Sequence, residues 1–524
     1  MRRNPWFVYS ILLLGIFVAL EANAFTTPAT PYISVDFGIS IANSGILSLL
    51  SSAAAIALAP LFGRLGDQVG RKKVIVAGLV IFVLAQSVKV FTPYLSIYLI
   101  GSLFQGVGYA LIFPNVFAYI PELFPEEKRG KAIGLFMLFC YIATGTGGLI
   151  SGALIDTWGW RSVYVVSASF SAIGLILISI VVPSTAARVK SNLDYKGVSV
   201  FMLVITAIVS LPLVYSNFGV GWLAVGAVIM IALLLIFLQL QKKETHPVLD
   251  FKLLKLKGVY IPSILIAVQN FMMLSILMSL TFFASDNPNM SALQVGLITT
   301  VLFSSAAIIS PLIGYLLDRY NPVYLVYLSL ASGIVGIIFY LAVDMESSMF
   351  YLLVVMTFVG ICSSLLNASL MKIVINFTPA DKKGVSTGTF SLFKDLGLPI
   401  GSTLGLTIYG LSTSRGLDSS LTERAGELGL NADQTTLLLE ARATGVVPTE
   451  LESILSKLNV QFADLVTTSN GESVTAGIHM LGTINLIVFI VITLLSLGLL
   501  KMKSKPAEAP NIPTEHVVPV TNEV

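Results

Sequence analysis

The stretch Gly63-Arg-Leu-Gly-Asp-Gln-Val-Gly-Arg-Lys-Lys73 joins two long apolar runs and holds three glycines, one aspartate and a basic triplet. Glycines lack a Cβ, so they allow a helix end and its loop to approach other backbones closely. Asp67 can face a helix N-terminus, where negative charge is favoured. Arg71 is expected at the same level as Glu122, which ends a later apolar run, and we therefore expect an ion pair between them.

A shorter form of the same pattern, Gly314-Tyr-Leu-Leu-Asp318, follows 251 residues later. A second echo links Glu127-Lys-Arg-Gly130 to Asp381-Lys-Lys-Gly384 at an offset of 254 residues. Two independent echoes at nearly one offset indicate an internal duplication. Each half then contains six apolar runs, with two further runs between them.

Composition predicts that these runs cross a membrane. Hydrophobic residues make up 55% of the 524 positions, charged residues only 11%, and the mean hydropathy is +0.88. The apolar runs have about 20 residues each, enough to cross roughly 30 Å of hydrocarbon. We predict an all-α polytopic membrane protein with fourteen spans. They lie near residues 6–33, 41–62, 74–92, 95–121, 132–156, 160–183, 197–216, 219–241, 258–283, 292–317, 322–343, 348–377, 385–411 and 477–500.

Basic residues give the predicted orientation because they gather in the loops on one side. These loops lie around residues 64–73, 128–131, 188–196, 242–257 and 382–383, and the tail from Lys501 joins them. Cytoplasmic loops carry such an excess, so both termini are expected in the cytoplasm. The opposite loops offer little beyond Lys89 and Arg161.

One loop on the opposite, extracellular side is long, covering about residues 412–476, and it carries nine acidic and four basic residues. Its leucine spacing predicts two short helices, near residues 434–443 and 450–458. Two interpretations remain open for it, a solvated cap and a surface that collects substrate.

The predicted domain organisation follows from the repeat. Residues 1–196 form an N-terminal six-helix bundle, and residues 197–257 contribute two inserted helices and a cytoplasmic linker. Residues 258–505 form the second bundle, including the long extracellular loop 412–476. Residues 506–524 are rich in Pro, Glu and Val and are expected to be a disordered tail.

Several classes of function are disfavoured by the sequence. The two cysteines, Cys140 and Cys362, both lie in apolar runs, which argues against a structural disulfide or a metal cluster. The sequence contains no phosphate-binding loop of the G-x-x-x-x-G-K-[ST] type, and the three histidines are scattered. We therefore expect no enzyme activity, no cofactor and no metal, and the net charge of +3 gives no indication of nucleic-acid binding.

The stretch from Gly63 to Lys73 resembles the signature loop of the major facilitator superfamily at its glycines, its aspartate and its basic triplet. The resemblance covers nearly the whole chain, and together with fourteen spans it looks like the drug:proton antiporter branch. The other motifs that carry it are Gln105-Gly106-x-Gly108, Trp160-Arg161, Asp194-Tyr-Lys-Gly197 and His246-Pro247.

The resemblance implies two six-helix bundles around a central site, in a monomeric transporter of the plasma or inner membrane that alternates access to a small molecule. It implies proton-coupled export of amphipathic or cationic compounds, with protons and the lipid bilayer as the other partners. It also implies a cytoplasmic gate that latches the outward-open state. We assign that gate to Gly63, Asp67, Gly70, Arg71, Glu122 and Asp318.

Two positions depart from the branch pattern. Ser102 stands where the fourth-span motif normally has an arginine, and the stretch Ala143-Thr-Gly-Thr-Gly-Gly148 lacks the proline of the fifth-span antiporter motif. A uniporter or symporter of a small metabolite or lipid is therefore the alternative. A non-transporting receptor or scaffold is a third class, which the intact gate motif disfavours.

Ionisable and polar residues inside the spans are the candidates for coupling and binding, because a charge at membrane depth is costly. Glu21, Lys394 and Asp395 are the candidates for proton or substrate coupling. Lys394 and Asp395 are adjacent, so their side chains point about 100° apart and an ideal mutual ion pair is not expected. Polar residues that are candidates for lining a cavity are Asn23, Gln105, Asn115, Gln269, Asn270 and Asn367. An interhelical hydrogen bond is the alternative role for each glutamine and for Asn115, Asn270 and Asn367.

Overall fold

The computed structural model describes residues 4–184, 194–243, 255–379, 382–444, 447–458 and 460–500, without the side chains of residues 18, 21–23, 243, 384, 443, 444 and 500. Within these ranges the chain is helical and has no β-strand. The predicted tail 506–524 lies outside the described residues. The helices are α1 (Pro5–Asp36), α2 (Ile46–Val69), α3 (Arg71–Phe91), α4 (Leu95–Leu123), α5 (Glu126–Trp158), α6 (Arg161–Val181), α7 (Tyr195–Lys243), α8 (Lys257–Asp286), α9 (Ala292–Arg319), α10 (Pro322–Leu341), α11 (Met349–Phe377), α12 (Lys383–Glu427), α13 (Ala432–Thr444), α14 (Thr449–Lys457) and α15 (Phe462–Leu500).

Helix α7 is a hairpin of two arms that reverses at Gly219. That glycine has φ +78°, a left-handed conformation that an L side chain rarely adopts. The arms pack against each other, since the rings of Phe201 and Phe237 stack with centroids 5.0 Å apart. At the far end, Gln241 donates to Asp194, which precedes the first arm, over 2.8 Å.

The two halves repeat one packing scheme. In the first half α1 packs against α5 and α6, α2 and α3 pack against α4, and α3 packs against α6. In the second half α8 packs against α12 and α15, α9 and α10 pack against α11, and α10 packs against α15. Small residues make the close crossings possible. A Cβ on Gly106 of α4 would lie 2.1 Å from the carbonyl oxygen of Ser51 on α2.

The described residues contain eleven helices that are long and apolar enough to cross a membrane, with α7 counted once. Successive helices run in opposite directions, which places the chain connections at two ends of the molecule. We call the end that carries the connection between α2 and α3 the basic end. The end that carries α13 and α14 is the cap end.

The segment predicted as the loop 412–476 is mostly helical, which corrects the expected ends of the last two spans. Helix α12 has 45 residues and α15 has 39, far more than the 20 or so that cross a bilayer. Their extensions enclose α13 and α14 around buried leucines, and the two predicted short helices are therefore present. Ion pairs join the two extensions, with Arg424 2.8 Å from Glu472, and join α13 to α12, with Arg442 2.8 Å from Asp418. The leucines are Leu417, Leu421, Leu438, Leu451, Leu455 and Leu465.

Candidate functional site

The charged cluster at the basic end forms around Arg71. Gly70, with φ +97°, makes the tight turn between α2 and α3 and is the N-cap of α3. The guanidinium of Arg71 is 2.5 Å from the carboxylate of Asp67 and 2.9 Å from that of Glu122 on α4. The expected ion pair between Arg71 and Glu122 is therefore present, and a single cation ties α2, α3 and α4 together.

The same region explains the glycine spacing of the loop. A Cβ on Gly66 would lie 1.7 Å from the Asn115 side-chain oxygen, so a larger residue would displace the side chain of Asn115. The Asn115 amide donates to the carbonyl oxygens of Phe62 and Leu111, both at 2.9 Å. Asn115 thus forms an interhelical hydrogen bond between α4 and α2. Gly63 contacts Pro114 at the ordinary distance of 3.6 Å.

Asp318, the counterpart of Asp67 in the second half, has a different environment. Its side chain is 85% exposed and its carboxylate is 3.8 Å from the ammonium of Lys372 on α11. Lys372 also donates to the carbonyl oxygen of Leu317. Asp318 therefore belongs to a charge pair of the second half and is not brought together with Arg71.

The two halves touch closely at the cap end. Helix α5 crosses α9 through Gly148, Gly152 and Gly296, and a Cβ on Gly296 would lie 2.1 Å from the carbonyl oxygen of Gly148. One turn further on, the carboxylate of Asp156 accepts hydrogen bonds from the backbone N–H groups of Ala292 and Leu293, at 2.8 and 2.9 Å. These are the first two residues of α9, so Asp156 caps that helix from the other half.

A second contact of the same kind joins α12 to the turn that precedes α2. Thr407 donates to the carbonyl oxygen of Ala42 over 2.9 Å. A Cβ on Gly410 would lie 2.3 Å from the Ala42 nitrogen, and one on Gly45 would lie 2.7 Å from Thr403. Both contacts between the halves therefore lie at the cap end.

The helices that meet at the cap end, α5 with α9 and α2 with α12, lie apart at the basic end. No atom of a described residue lies within 4 Å of the Cβ position of Gly130 or Gly134 on α5, or of Gly314 on α9 or Gly388 on α12. The side chains of Met137 and Leu138 on α5 are about half exposed. The halves thus enclose a cleft that is closed at the cap end and open at the basic end.

Lys394 and Asp395 lie on the cleft side of α12. Lys394 lies near Cys140 on α5, and Asp395 lies near Tyr109 on α4, so both charges face the first half. Their side chains are 33% and 47% exposed, and the ammonium and carboxylate approach to 3.6 Å. This long-range pair fits the 100° offset between adjacent helix positions. The ring of Tyr109 stacks on Phe113, with centroids 5.4 Å apart, and forms an aromatic wall opposite the charges.

The remaining polar residues that are candidates for coupling or for lining a cavity differ in burial and in place. Asn270 is buried and donates to the backbone carbonyl of Lys394 over 2.9 Å, so it joins α8 to α12. Gln269 is buried inside the second half, where it lines a cavity of about 20 Å³. Asn367 is half-buried on α11. Glu21 and Asn23 lie near the middle of α1, and their side chains are outside the described residues.

Lys89 was wrongly assigned to a loop at the opposite side of the membrane. It lies two residues before the end of α3. It is 1% exposed, and its ammonium donates to the side chain of Gln105. Gln105 therefore lies inside the first half and not on the cleft. The spacing of α3 contained the signal, because Phe82, Ala85 and Lys89 follow the three-and-four rhythm of a buried helix face. No group of three or more potential metal ligands occurs among the described residues.

Comparison with known proteins agrees with this architecture. The family model of the Major Facilitator Superfamily matches residues 12–268 and 260–417. YhcA, an uncharacterized MFS-type transporter of Bacillus subtilis, is 26% identical over 416 residues, which cover 78% of this chain and 77% of YhcA. The multidrug resistance protein Stp of Mycobacterium tuberculosis is 24% identical, with 68% of this chain and 66% of Stp covered. The riboflavin transporter RibZ of Clostridioides difficile is 21% identical, with 78% and 89% covered.

Among solved structures, a bacterial homolog to the human lysosomal transporter Spinster, in an inward-facing and unoccupied conformation, is similar with a TM-score of 0.68. The comparison covers 97% of this chain and 100% of that one at 14% identity. At this level of identity the similarity shows a shared fold alone.

Proposed function

The chain belongs to the major facilitator superfamily, and we propose that it exports amphipathic or cationic compounds in exchange for protons by alternating access. The observation that carries this proposal is the partly exposed pair of Lys394 and Asp395 inside the cleft, with their charges 3.6 Å apart. Counted from Lys383 at the start of α12, Asp395 lies roughly 18 Å along the helix axis, near the middle of a bilayer core. A carboxylate at that depth is a functional site by default.

The geometry of this pair suits exchange. The contact between Lys394 and Asp395 is longer than a hydrogen bond, and both side chains are partly exposed on the cleft. A cationic substrate can displace Lys394 as the partner of Asp395, while the aromatic wall of Tyr109 and Phe113 supplies apolar and cation–π contacts. A proton neutralises the same carboxylate. Competition between proton and cation for one carboxylate is sufficient to couple their opposite movements.

Glu21 is the second candidate for the proton carrier, because its backbone lies near the middle of α1. The multidrug resistance protein Stp among the relatives is consistent with export of such compounds. In this proposal the substrate is a small molecule, the protein is a monomer, and its location is the plasma or inner membrane of the cell.

Fourteen spans fit the described helices. The second arm of α7, together with α1 and α12, adds three to the eleven apolar helices. Both termini then lie at the basic end, which the excess of Lys and Arg assigns to the cytoplasm. We retain the division into bundles 1–196 and 258–505, with 197–257 inserted between them. The cleft is then open to the cytoplasm, and the cap faces outside.

Alternating access follows from the two ends of the cleft. To open outward, the protein must break the contacts of Asp156 with α9 and separate the glycine crossings. To close inward, it must bring the basic ends of α5 and α9, and those of α2 and α12, together. The cluster of Asp67, Arg71 and Glu122 lies at the end of α2 that would meet α12, which supports its role as the cytoplasmic gate.

A uniporter or symporter of a small metabolite or lipid is the second candidate. The riboflavin transporter among the relatives favours it, and so do Ser102 and the stretch Ala143–Gly148, which depart from the antiporter pattern. A non-transporting receptor or scaffold would have no need of a cleft closed at one end and open at the other.

Purified protein in liposomes with an acidic interior separates the two candidates. We expect ethidium, an amphipathic cation, to accumulate only while the pH gradient persists. Asp395→Asn should reduce this accumulation by roughly tenfold or more, which corresponds to about 1.4 kcal/mol. Glu21→Gln, measured in parallel, reports on the second carboxylate, and Asp344→Asn at the cap end is the matched control. Ethidium movement that is independent of the gradient, or unchanged in Asp395→Asn, would contradict the proposal, and gradient-independent riboflavin uptake would favour the alternative.

A further inference from the structure

Lys89 is a cation enclosed by the first half. Its ammonium donates to the side-chain oxygen of Gln105 and lies 4.8 and 5.0 Å from the ring centroids of Tyr98 and Tyr164. The two tyrosine hydroxyls are hydrogen-bonded to each other at 2.7 Å. The lysine stem passes Gly101, where a Cβ would lie 3.1 Å from the Lys89 Cγ. Helices α3, α4 and α6 thus form a fitted site for one ammonium group.

The side chain of Lys89 points away from the cap end of α3. A lysine two residues from a helix end can usually extend outward and keep its charge at the interface. Lys89 instead follows the tilt of helical side chains towards the start of α3. It reaches Gln105, which lies roughly 15 Å along α4 from the cap end. The charge is therefore directed into the membrane interior.

No carboxylate of a described residue forms an ion pair with Lys89. The titratable groups that face it are the hydroxyls of Tyr98 on α4 and Tyr164 on α6. Towards the cap end the next charges are Arg161 and Asp36, which pair with each other at 3.0 Å. Helix α1, which packs against α6, carries Glu21, whose side chain is outside the described residues. A buried ammonium that has hydrogen-bond and ring partners but no counter-charge among the described residues favours a change in its charge state.

The polar groups around Lys89 are incompletely paired. Both side-chain atoms of Gln86 and the hydroxyls of Ser102 and Ser167 are buried and lack a hydrogen-bond partner among the described residues. Gln86 lies one turn from Lys89 on α3, Ser102 lies between Tyr98 and Gln105 on α4, and Ser167 lies one turn from Tyr164 on α6. Water needs two to four such polar partners to enter a protein interior. These unpaired polar groups could serve as partners for a water that enters the site beside Lys89.

We propose that Lys89 binds and releases one proton in each transport cycle, as the intramembrane cation of the first half. In the charged state the ammonium is held by Gln105 and the two rings. On release, the proton passes to water and leaves a neutral amine, which later takes up a proton from water. Lys89 approaches α4 beside Ser102, so a titratable cation from α3 occupies the region where the family pattern expects an arginine from α4. This role rests on the proposed proton coupling, but the site itself does not depend on the substrate.

Three variants in liposomes test the role of Lys89 in transport. Lys89→Arg keeps a cation that stays protonated at every working pH, Lys89→Gln is always neutral, and Lys242→Arg changes an exposed lysine as a control. Both Lys89 variants should retain ethidium binding in detergent and lose pH-gradient-driven accumulation by roughly tenfold or more. Lys242→Arg should match the wild type. Transport by Lys89→Arg with the wild-type rate and pH profile would overturn the proposal, because a fixed cation would then be enough.

Proton uptake by the protein in detergent tests the site without any substrate. Thermal unfolding of each variant checks that it is folded. Between about pH 8 and about pH 5 an ordinary lysine stays charged and, among side chains, chiefly histidine titrates. We expect the wild type and Lys242→Arg to take up about one proton more than Lys89→Gln and Lys89→Arg over this interval. Equal uptake by all four proteins would overturn the proposal. If the extra proton is found but ethidium is not transported, the drug-export function fails and the proton site stands.

Discussion

Asp67 and Asp318 occupy related positions in the two halves, yet their carboxylates have different ion-pair partners. Asp67 shares Arg71 with Glu122, so the N-terminal cluster is a three-residue bridge across three helices. Asp318 is largely exposed, and its one ion-pair partner among the described residues is Lys372. The gate signature was therefore kept in full in one half only, and the charge that matters for closing the basic end is expected there.

Asp67→Asn tests this asymmetry. The substitution keeps the shape of the side chain and removes one charge from Arg71, which weakens a partly exposed contact by about 1 kcal/mol. We expect the transport rate to fall by roughly fivefold, while substrate binding in detergent is unchanged, because Asp67 lies outside the cleft. The same change at Asp318 should have a smaller effect. A wild-type rate in Asp67→Asn under a pH gradient would remove the gating role.

At the scale of helices, the contact between α5 and α9 has the same basis as the close crossings within each half. Gly148, Gly152 and Gly296 bring two backbones together across the halves, as Gly106 does between α4 and α2. The bonds from Asp156 to the start of α9 are the polar part of this contact, and both must break when the cap end opens.

Asp156→Asn should shift the protein towards the state that is open at the cap end. The neutral amide loses the attraction of a carboxylate for a helix N-terminus and can accept through only one oxygen, at a cost of about 1–2 kcal/mol. Spin labels at the exposed positions Thr157 and Asn289 report the separation of the two helices. We expect the population with a long distance between the two labels to increase by roughly five- to thirtyfold.

The control for this measurement is Asp344→Asn. Asp344 is also exposed at the cap end, but it bonds only to its own turn, through Ser347 and Glu346. Its substitution should leave the distance distribution unchanged. An unchanged distribution in Asp156→Asn would mean that the glycine crossing alone holds the cap end closed.

At the scale of the whole molecule, the duplication and the long apolar helices could be predicted because they depend on local pattern and on the thickness of a bilayer. The extensions of α12 and α15 could not, because their polar composition is that of a loop. Those helices are stabilised by leucines that meet only after α13 and α14 fold against them. Lys89 was missed for a related reason. Its charge suggested a loop, and the partners that accept it lie on α4 and α6.

The orientation of the molecule is the last prediction, and it rests on the basic loops and on the hairpin of α7. After replacement of Cys140 and Cys362 by serine, single cysteines are placed at Lys73, Lys383, Val220 and Asp433. A membrane-impermeant maleimide should label Val220→Cys and Asp433→Cys in intact cells, because the reversal at Gly219 and the helical cap both lie outside. Lys73→Cys and Lys383→Cys should react only after permeabilisation, since positively charged loops stay in the cytoplasm. Val220 is 69% exposed, so failure to react would reflect its side of the membrane and not burial. Labelling of both Val220→Cys and Asp433→Cys only in permeabilised cells would reverse the assigned orientation, and the cleft would then open to the outside. Labelling of one of the two in intact cells and of the other only after permeabilisation would refute the fourteen-span arrangement.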